Sequence, residues 1–286
     1  MIYRVLIPTA GLGSRLNKFC KNINKALISI SHKPAISYII EKFDKDIEFV
    51  IPLGYKGHLV RDFLTLAYPD RKFIFVEVNN YDIGLGYTIL KCEKYLQMPF
   101  VFISNDTIVL EDIKPPINNW MGYAIREDNT EYRSIKIEKD IVTEICAKGA
   151  YGDVKAYIGL CGINNYLEFW KQMENGVTLG SLEVGESYGL RFLIKDSIEA
   201  ICFTWFDTGN LESLKKTRDY FKSNIDANIL EKEEEAIWFV DNKVIKFSTD
   251  VNFIENRVER AKKIKDYIPN IIGHTKNMYV YDKVDG

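Results

Sequence analysis

The sequence predicts an α/β protein with a Rossmann-like sheet that is mixed but mainly parallel, and three observations support this. Short apolar runs alternate with helical patterns over much of the chain, which is typical of parallel strands covered by helices on both faces. The first of these runs ends in a glycine-rich turn, as in many βαβ units. Between Met121 and Ile145 the pattern changes to alternating segments joined by Asp-Asn and Lys-Asp turns, which indicates antiparallel strands.

The predicted strands of this sheet are short and mainly apolar, and the helices between them show apolar residues on one face. In chain order, the strands are expected at Arg4–Pro8, Glu48–Leu53, Lys72–Val78, Phe100–Ser104, Asp153–Ile163 and Ile198–Phe206. The helices are expected at Ala35–Phe43, His58–Ala67, Gly84–Tyr95 and Leu211–Lys222.

A small appendage is predicted at the C-terminal end of the chain. The composition shifts after about Asp226, and the charged run Glu231–Glu235 is typical of a solvated boundary. We therefore expect a main domain over residues 1–226 and an appendage over residues 227–286. The appendage has a ββαβ pattern, with strands at Ala236–Phe239 and Lys243–Phe247, a helix at Val251–Tyr267 and a strand at Met278–Tyr281.

Composition and charge exclude several classes of protein. The formal net charge of −2 argues against a nucleic-acid partner. The N-terminus lacks a basic flank with an apolar core, and no apolar run approaches the length of a membrane span, so we expect a cytoplasmic protein without a membrane partner. The five cysteines form no Cys-x-x-Cys pair, which favours free thiols over a zinc site or a disulfide framework.

A phosphate-binding turn is indicated at the end of the first strand. Gly11 and Gly13 allow close approach of the backbone to a ligand, and Arg15 and Lys25 add the positive charge that a triphosphate requires. No Gly-Lys-Ser/Thr follows, which excludes a P-loop, and Leu16 stands where a dinucleotide fingerprint has its third glycine. A lone Gly-x-Gly also fits an ordinary βα turn, and the residues alone leave both interpretations open.

Two carboxylates follow predicted strands and form a candidate metal site. Asp106 comes directly after the run Phe100–Ser104, and Asp207 follows the run that ends at Phe206, before Thr208 and Gly209. Each carboxylate also fits a helix cap or turn. Taken together with the phosphate turn, they favour a magnesium site for a nucleoside triphosphate, because ligands bind at the carboxyl ends of parallel strands.

The segment from Gly11 to Leu16, followed by Asn24-Lys25-Ala26-Leu27, resembles the pyrophosphorylase motif of the nucleotidyltransferase family. The family has a proline where Asn24 stands, and the resemblance extends over roughly residues 1–225. It implies the fold of the nucleotide-diphospho-sugar transferases, Mg²⁺ held by Asp106 and Asp207, and catalytic roles for Arg15 and Lys25.

The same resemblance implies that an NTP is coupled to a phosphorylated sugar or alcohol with release of pyrophosphate, for cell-surface glycan or capsule synthesis. The Gly54-Tyr55-Lys56 turn and the Asn79-Asn80-Tyr81 loop lean towards CTP and a small phospho-alcohol such as phosphocholine. A guanylyl-, uridylyl- or thymidylyltransferase acting on a sugar 1-phosphate stays open, as does a catalytically inactive regulatory homologue.

Further site residues are carried over from the resemblance. The nucleotide is expected to contact Ala10, Gly11, Leu12, Gly13, Ser14, Asn80 and Gly86, although the loop after Val78 lacks the family's Gly-Thr-Ala. The acceptor is expected to contact Lys148, Gly159 and Glu186, with Lys155 as a rival to Lys148. Lys148 and Lys155 also fit ordinary surface positions, and Glu186 also fits a turn.

The appendage resembles the start of a choline-kinase-like N-lobe, in which a strand lysine pairs with a helix glutamate. Lys246 and either Glu255 or Glu259 would form that pair. The resemblance implies fusion to, or association with, a kinase-like domain, because the sequence has no catalytic loop of its own. A small structural appendage with an ordinary lysine is the alternative.

The glycine-rich turn has one remaining interpretation, a nicotinamide-dependent oxidoreductase. It requires an acidic residue about twenty positions after the glycines to bind the ribose. The stretch Ile28–Lys33 contains none, which disfavours this reading.

Overall fold

The computed structural model describes residues 1–222 and 232–284, apart from the side chains of Asn17 and Lys18. The strands are β1 Arg4–Leu6, β2 Ser29–Ile30, β3 Lys33–Pro34, β4 Glu48–Leu53, β5 Lys72–Glu77, β6 Phe100–Ile103, β7 Thr107–Val109, β8 Trp120–Ala124, β9 Ser134–Glu138, β10 Ile141–Cys146, β11 Lys155–Ile163, β12 Glu199–Cys202, β13 Trp205–Asp207, β14 Glu235–Val240, β15 Lys243–Ser248, β16 Ile271–His274 and β17 Met278–Asp282. The α-helices are α1 Ala35–Ile40, α2 Gly57–Ala67, α3 Leu85–Leu90, α4 Tyr166–Asn175, α5 Ser181–Val184, α6 Glu186–Leu193, α7 Leu211–Phe221 and α8 Val251–Lys263. Short 3₁₀ turns lie at Ser14–Cys20, Lys25–Leu27, Glu93–Tyr95 and Ile194–Asp196.

A nine-stranded mixed sheet forms the centre of the protein, which confirms the predicted α/β fold class. The sheet is not mainly parallel as expected, because its antiparallel strand pairings are at least as frequent as its parallel ones. Its order is β5-β4-β1-β6-β11-β8-β12-β10-β9. β1 lies parallel to both of its neighbours, so Leu6 pairs with Val50 of β4 and with Phe102 of β6. The loops that follow β1, β4 and β6 therefore leave the sheet at the same edge.

Helices cover both faces of this sheet because its central strands are apolar on both sides. Val5 and Ile7 face one buried cluster with α1 and α2, whereas Leu6 faces the other cluster with α4 and α6. Polar side chains set where several helices begin. The side chains of Asn165, Asn210 and Asp250 accept hydrogen bonds from backbone N–H groups in the first turns of α4, α7 and α8, as N-cap residues do.

Several elements differ from the sequence-based expectation. The strand expected at Ile198–Phe206 is two strands, because Thr204 leaves the large sheet and its N–H donates to the Glu111 carboxylate at 2.9 Å. After this break, β13 pairs with β7 instead. The helix expected at Gly84–Tyr95 ends at Leu90, and α1 is shorter than expected. The helices α4, α5 and α6 were not predicted.

The appendage is a four-stranded antiparallel sheet of order β14-β15-β17-β16 with α8 on it, so its pattern is ββαββ rather than ββαβ. It packs on the main domain. Trp238 is fully buried in the same hydrophobic cluster as α2, and its Nε1 donates to Ser29 Oγ at 2.9 Å. Lys243 Nζ donates to the Ala67 carbonyl at 3.0 Å. The expected boundary at Asp226 lies outside the described residues and stays a prediction.

The kinase-like pairing expected in the appendage is not formed. Lys246 pairs with Glu235 on the adjacent strand, and Glu259 pairs with Lys262 on its own helix. The resemblance to a kinase lobe therefore stays a prediction, and the ion pair that it implies is not observed.

Within the described part of the chain, no helix combines the length and the apolar character that crossing a bilayer requires.

Candidate functional site

The glycine-rich turn lies at the carboxyl edge of β1 and exposes its backbone. Gly11, Leu12 and Ser14 are exposed, whereas Ala10 is buried and its carbonyl accepts from Tyr55 N at 2.9 Å. Gly13 has φ of +67°, and a Cβ there would lie 2.6 Å from Cys20 Sγ. Gly13 therefore meets both a conformational and a steric requirement, which explains why this position is glycine.

Lys25 and Asp106 meet across the crevice between the β1 and β6 loops. The Lys25 ammonium forms an ion pair with Asp106 Oδ2, and both side chains are largely buried, at 11% and 20% exposure. Burial alone would raise the pKa of Asp106, but the charges of Lys25 and Arg15 outweigh it and hold that pKa below its ordinary value. Asp106 is therefore an ionised carboxylate, as a metal ligand requires.

Asp207 lies close to Asp106 because its strand, β13, pairs with β7, the strand that follows Asp106. It is the partner of Thr107, the residue after Asp106, in this antiparallel pairing. Thr208 N also donates to the Asp106 carbonyl at 3.0 Å. The break at Thr204 that redirects β13 is thus what brings the second carboxylate to the first.

The two carboxylates converge on Gly209. A Cβ at Gly209 would lie 2.8 Å from Asp207 Oδ1, 3.0 Å from Asp106 Oδ2 and 3.5 Å from Arg15 Nη2. The space that glycine leaves open is thus lined by two carboxylate oxygens and one guanidinium. Such a space fits Mg²⁺, which takes one or two carboxylates and completes its shell with water and substrate phosphates. In the described ranges, no group of three or more His, Cys, Asp or Glu side chains forms a metal site.

Asn80 and Gly86, which are expected to contact the nucleotide, have different surroundings. Asn80 is exposed in the turn after β5, and its carbonyl accepts from Ile83 N at 3.3 Å. Gly86 is buried in α3, and a Cβ there would collide with the carbonyl oxygen of Ser181 in α5. Close packing of α3 on α5 already accounts for this glycine, and its contact with a nucleotide stays a prediction.

Among the residues expected to bind the acceptor, Gly159 lies beside the site. It has φ of +67° at a bulge in β11, and a Cβ there would lie 2.6 Å from Ser104 Oγ. Lys148 is exposed on a turn. Lys155 forms an ion pair with Asp153 at 2.9 Å, and the hydrogen bond that its ammonium donates to that carboxylate raises the pKa of Lys155. The structure therefore brings Gly159, but neither lysine, to the carboxylate pair.

Glu186 is a buried carboxyl group at the start of α6. Its Oε2 has no hydrogen-bond partner among the described residues. Burial raises the pKa of Glu186 to about 7; Tyr157 and Arg133 act against this rise, and the charge of Asp106 adds to it. This buried oxygen without a partner would accept a hydrogen bond from any hydroxyl that reached it.

Replacing Glu186 with glutamine is expected to make stability less dependent on pH. Because folding raises the pKa of Glu186, its contribution to stability is complete below about pH 4.5 and is lost as the pH rises through about 7. Glutamine does not ionise, so E186Q should match the parent near pH 4 and exceed it by up to about 3 kcal/mol at pH 8. Urea unfolding across this range checks the result, with the exposed Glu183→Gln as control. If the free energy of unfolding of E186Q and of the parent changed equally with pH, this prediction would be wrong.

Three site residues were missed from the sequence. Tyr132 OH donates to Asp207 Oδ2 at 3.1 Å, and the Tyr132 and Trp205 rings meet edge to face at 5.0 Å. The Arg126 guanidinium lies 5.1 Å and 5.2 Å from the centres of these two rings. We call Arg126, Tyr132 and Trp205 the aromatic corner. No local pattern marks it, because Arg126 and Tyr132 come from the loop between β8 and β9 whereas Trp205 belongs to β13, much later in the chain.

Similarity to known proteins extends over most of the chain. No protein-family model matches the chain. Bifunctional protein GlmU of Methanococcus vannielii is 26% identical over a 258-residue alignment that covers 84% of this chain and 60% of that protein. GlmU of Methanocaldococcus jannaschii is 28% identical over 123 residues, 43% of this chain and 29% of that protein. The chain thus spans less than two thirds of the length of these relatives.

Solved structures with the same fold cover most of the chain. UDP-glucose pyrophosphorylase complexed with UDP-glucose matches with a TM-score of 0.64 at 19% identity, over 77% of this chain and 98% of that one. CTP:phosphocholine cytidylyltransferase from Streptococcus pneumoniae matches with a TM-score of 0.63 at 16% identity, over 78% and 100%. HddC from Yersinia pseudotuberculosis matches with a TM-score of 0.57 at 25% identity, over 77% and 100%. The chain therefore has the fold of these solved structures and is similar in sequence to GlmU over most of its length.

Proposed function

We propose that the protein transfers a nucleotidyl group from an NTP to a phosphorylated acceptor and releases pyrophosphate. The observation that carries this proposal is the convergence of Arg15, Asp106 and Asp207 on the open space at Gly209, with Lys25 paired to Asp106. Cations and carboxylates in one crevice, below an exposed glycine-rich backbone, suit a metal-bound triphosphate.

The reaction needs no nucleophile from the protein, because the acceptor phosphate is already an anion. Its oxygen attacks the α-phosphorus, and a new P–O bond forms. The bond from the α-phosphorus to the bridging oxygen of the β-phosphate breaks, and its electron pair leaves with pyrophosphate. Catalysis then depends on positioning and charge stabilisation. We assign Lys25 to the α-phosphate and the leaving pyrophosphate, and Arg15 to the β- and γ-phosphates.

Asp106 and Asp207 would hold Mg²⁺, which supplies positive charge to the phosphates when bound. Each of the two carboxylates is also bound by a different group of the protein. Asp106 is also bound to Lys25, whereas Asp207 Oδ1 accepts from Gly209 N at 2.7 Å. These contacts keep both carboxylates directed towards the space at Gly209, which is the positioning role of the protein at this site.

For the acceptor, we propose a small phospho-alcohol that carries a cationic group, such as phosphocholine, with CTP as the nucleotide. The aromatic corner supports this choice, since its two rings already hold a guanidinium beside Asp207. CTP accompanies this acceptor in the phosphocholine cytidylyltransferase that shares the fold. A sugar 1-phosphate is the second candidate, favoured by the buried Glu186 oxygen that a hydroxyl would satisfy. Formation of a precursor for cell-surface glycan or capsule is part of the same proposal.

Replacing Trp205 with leucine tests the acceptor class. W205L is expected to raise the KM for phosphocholine about tenfold, because a desolvated cation–π contact contributes roughly 1–2 kcal/mol. The KM for glucose 1-phosphate, which has no cation, should change little. Arg126→Met should lower the KM for phosphocholine, since the guanidinium no longer competes for the rings. The exposed Tyr267→Leu serves as control, and equal effects of W205L on both acceptors would contradict the proposal.

The activity itself is tested by a pyrophosphate-release assay with Mg²⁺, each of the four NTPs, and phosphocholine or glucose 1-phosphate. Release that requires one NTP and one acceptor together is the expected result. Binding of an NTP without release for any pair would instead support an inactive regulatory homologue. Absence of both binding and release would overturn the proposed function.

A further inference from the structure

Asn24 is a fully buried amide directly before Lys25, and its side chain makes three hydrogen bonds. Its Nδ2 donates to the Thr9 carbonyl at 2.9 Å and to the Tyr55 carbonyl at 2.6 Å. Its Oδ1 accepts from Ala26 N at 2.9 Å. One side chain thus joins the loop after β1, the loop after β4 and the 3₁₀ turn that carries Lys25.

The two loops that Asn24 joins are already in close contact. Tyr55 N donates to the Ala10 carbonyl, and a Cβ at Gly54 would lie 2.5 Å from that carbonyl oxygen. The Tyr55 hydroxyl also donates to the Cys20 carbonyl at 3.1 Å. The loop after β4 therefore lies between the glycine-rich turn and the segment leading to Lys25, and Asn24 links all three from the inside.

The backbone of Asn24 has the conformation that proline prefers. Its φ is −72° and its ψ is 148°, whereas proline fixes φ near about −65°. Among the described residues, the Asn24 N–H donates no backbone hydrogen bond that a proline would remove. Asparagine, through its side-chain bonds, and proline, through its ring, are thus two means of holding the same backbone before Lys25.

We propose that Asn24 is a positioning residue that holds Lys25 against Asp106. The lysine side chain has four rotatable bonds, so the place of its ammonium depends on where the backbone of the 3₁₀ turn is fixed. The three bonds of Asn24 fix that turn to both loops of the crevice. The catalytic effect of this role rests on the proposed function, whereas its structural effect does not.

A double-mutant cycle tests the catalytic part. Asn24→Ala is expected to lower kcat about 10- to 100-fold, because misplacing a reacting group by about 1 Å costs roughly 100-fold. In a Lys25→Ala background the same change should cost less than about threefold, since its effect passes through the lysine. N24P should recover most of the lost kcat. Asn22→Ala, in the same loop, is the matched control and should leave kcat unchanged.

Chemical labelling of lysines tests the structural part without any activity. Trinitrobenzenesulfonate should modify Lys25 slowly in the parent. In N24A the modification should be about five- to tenfold faster, because opening of the buried site exposes the amine. In N24P it should proceed at close to the parent rate. Peptide mass spectrometry measures this, with the exposed Lys148 as internal reference. Unchanged labelling in a folded N24A variant would overturn the positioning role. The positioning role would also be overturned if N24A lowered kcat as much in the Lys25→Ala background as in the parent. A parent enzyme that is inactive with every substrate pair would overturn only the proposed function.

Discussion

Replacing Lys25 with alanine is expected to lower kcat for pyrophosphate release by about two orders of magnitude or more, the scale typical of losing one transition-state contact. The Lys25 side chain is only 11% exposed, and its ammonium is paired with Asp106 beside the space where the phosphates would bind. Charge that develops on the departing pyrophosphate would lose the cation that we assign to it. Steady-state kinetics with saturating NTP and acceptor measure the change.

The control for this prediction is Lys21→Ala. Lys21 belongs to the same loop, but its side chain is 68% exposed and lies 3.8 Å from Glu233. Its removal should alter kcat less than about twofold, because exposed ion pairs contribute little. Near-normal turnover of the Lys25 variant with magnesium and the correct substrates would remove Lys25 from its assigned role.

The approach of Lys25 to Asp106 was predictable because it depends on sheet topology. Adjacent parallel strands end at one edge, and the apolar runs that form β1 and β6 are readable from local pattern alone. The glycine-rich turn was also predictable from the sequence, because Gly13 meets a local backbone requirement. Features that depend on a strand's own residues were thus accessible from the sequence.

The path of Asp207 to the site was not predictable in the same way. Its strand leaves the large sheet at Thr204, where Glu111, 93 positions earlier, binds the freed backbone N–H. A break that depends on a distant carboxylate is not marked by the local pattern, which is mostly apolar from Ile198 to Phe206 with Glu199 and Thr204 as its polar residues. The sequence could place Asp207 after a strand but not identify β7 as the partner of that strand.

Side chains defined by packing between distant segments were missed for a related reason. The aromatic corner joins the loop between β8 and β9 to β13, and the pairing of Lys246 with Glu235 is chosen by strand register rather than by helix position. Asn24 belongs to this group as well. Its departure from the family's proline was visible in the sequence, but the two carbonyls that it binds lie 15 and 31 positions away.

Replacing Asp207 with asparagine is expected to raise the Mg²⁺ concentration for half-maximal activity at least about tenfold and to lower kcat about 100-fold, since a carboxylate is the preferred ligand of this ion. The neutral amide keeps the size of the side chain and removes its charge. Mg²⁺ titration of pyrophosphate release measures both effects. The exposed Asp70→Asn is the matched control and should leave the magnesium dependence unchanged.

Gly209→Ala probes the same space without altering a ligand. Gly209 does not have the positive φ that strains other residues, so alanine is compatible with its backbone. The added methyl group would lie 2.8 Å and 3.0 Å from the two carboxylate oxygens and would occupy the place proposed for the ion. G209A should therefore bind Mn²⁺ more weakly in an EPR titration while keeping its melting temperature within a few degrees of the parent. If Asp207→Asn and Gly209→Ala both retained the parent's metal dependence, the ion would have to bind elsewhere, and the convergence of Asp106 and Asp207 would be a structural ion-pair network around Lys25 and Arg15.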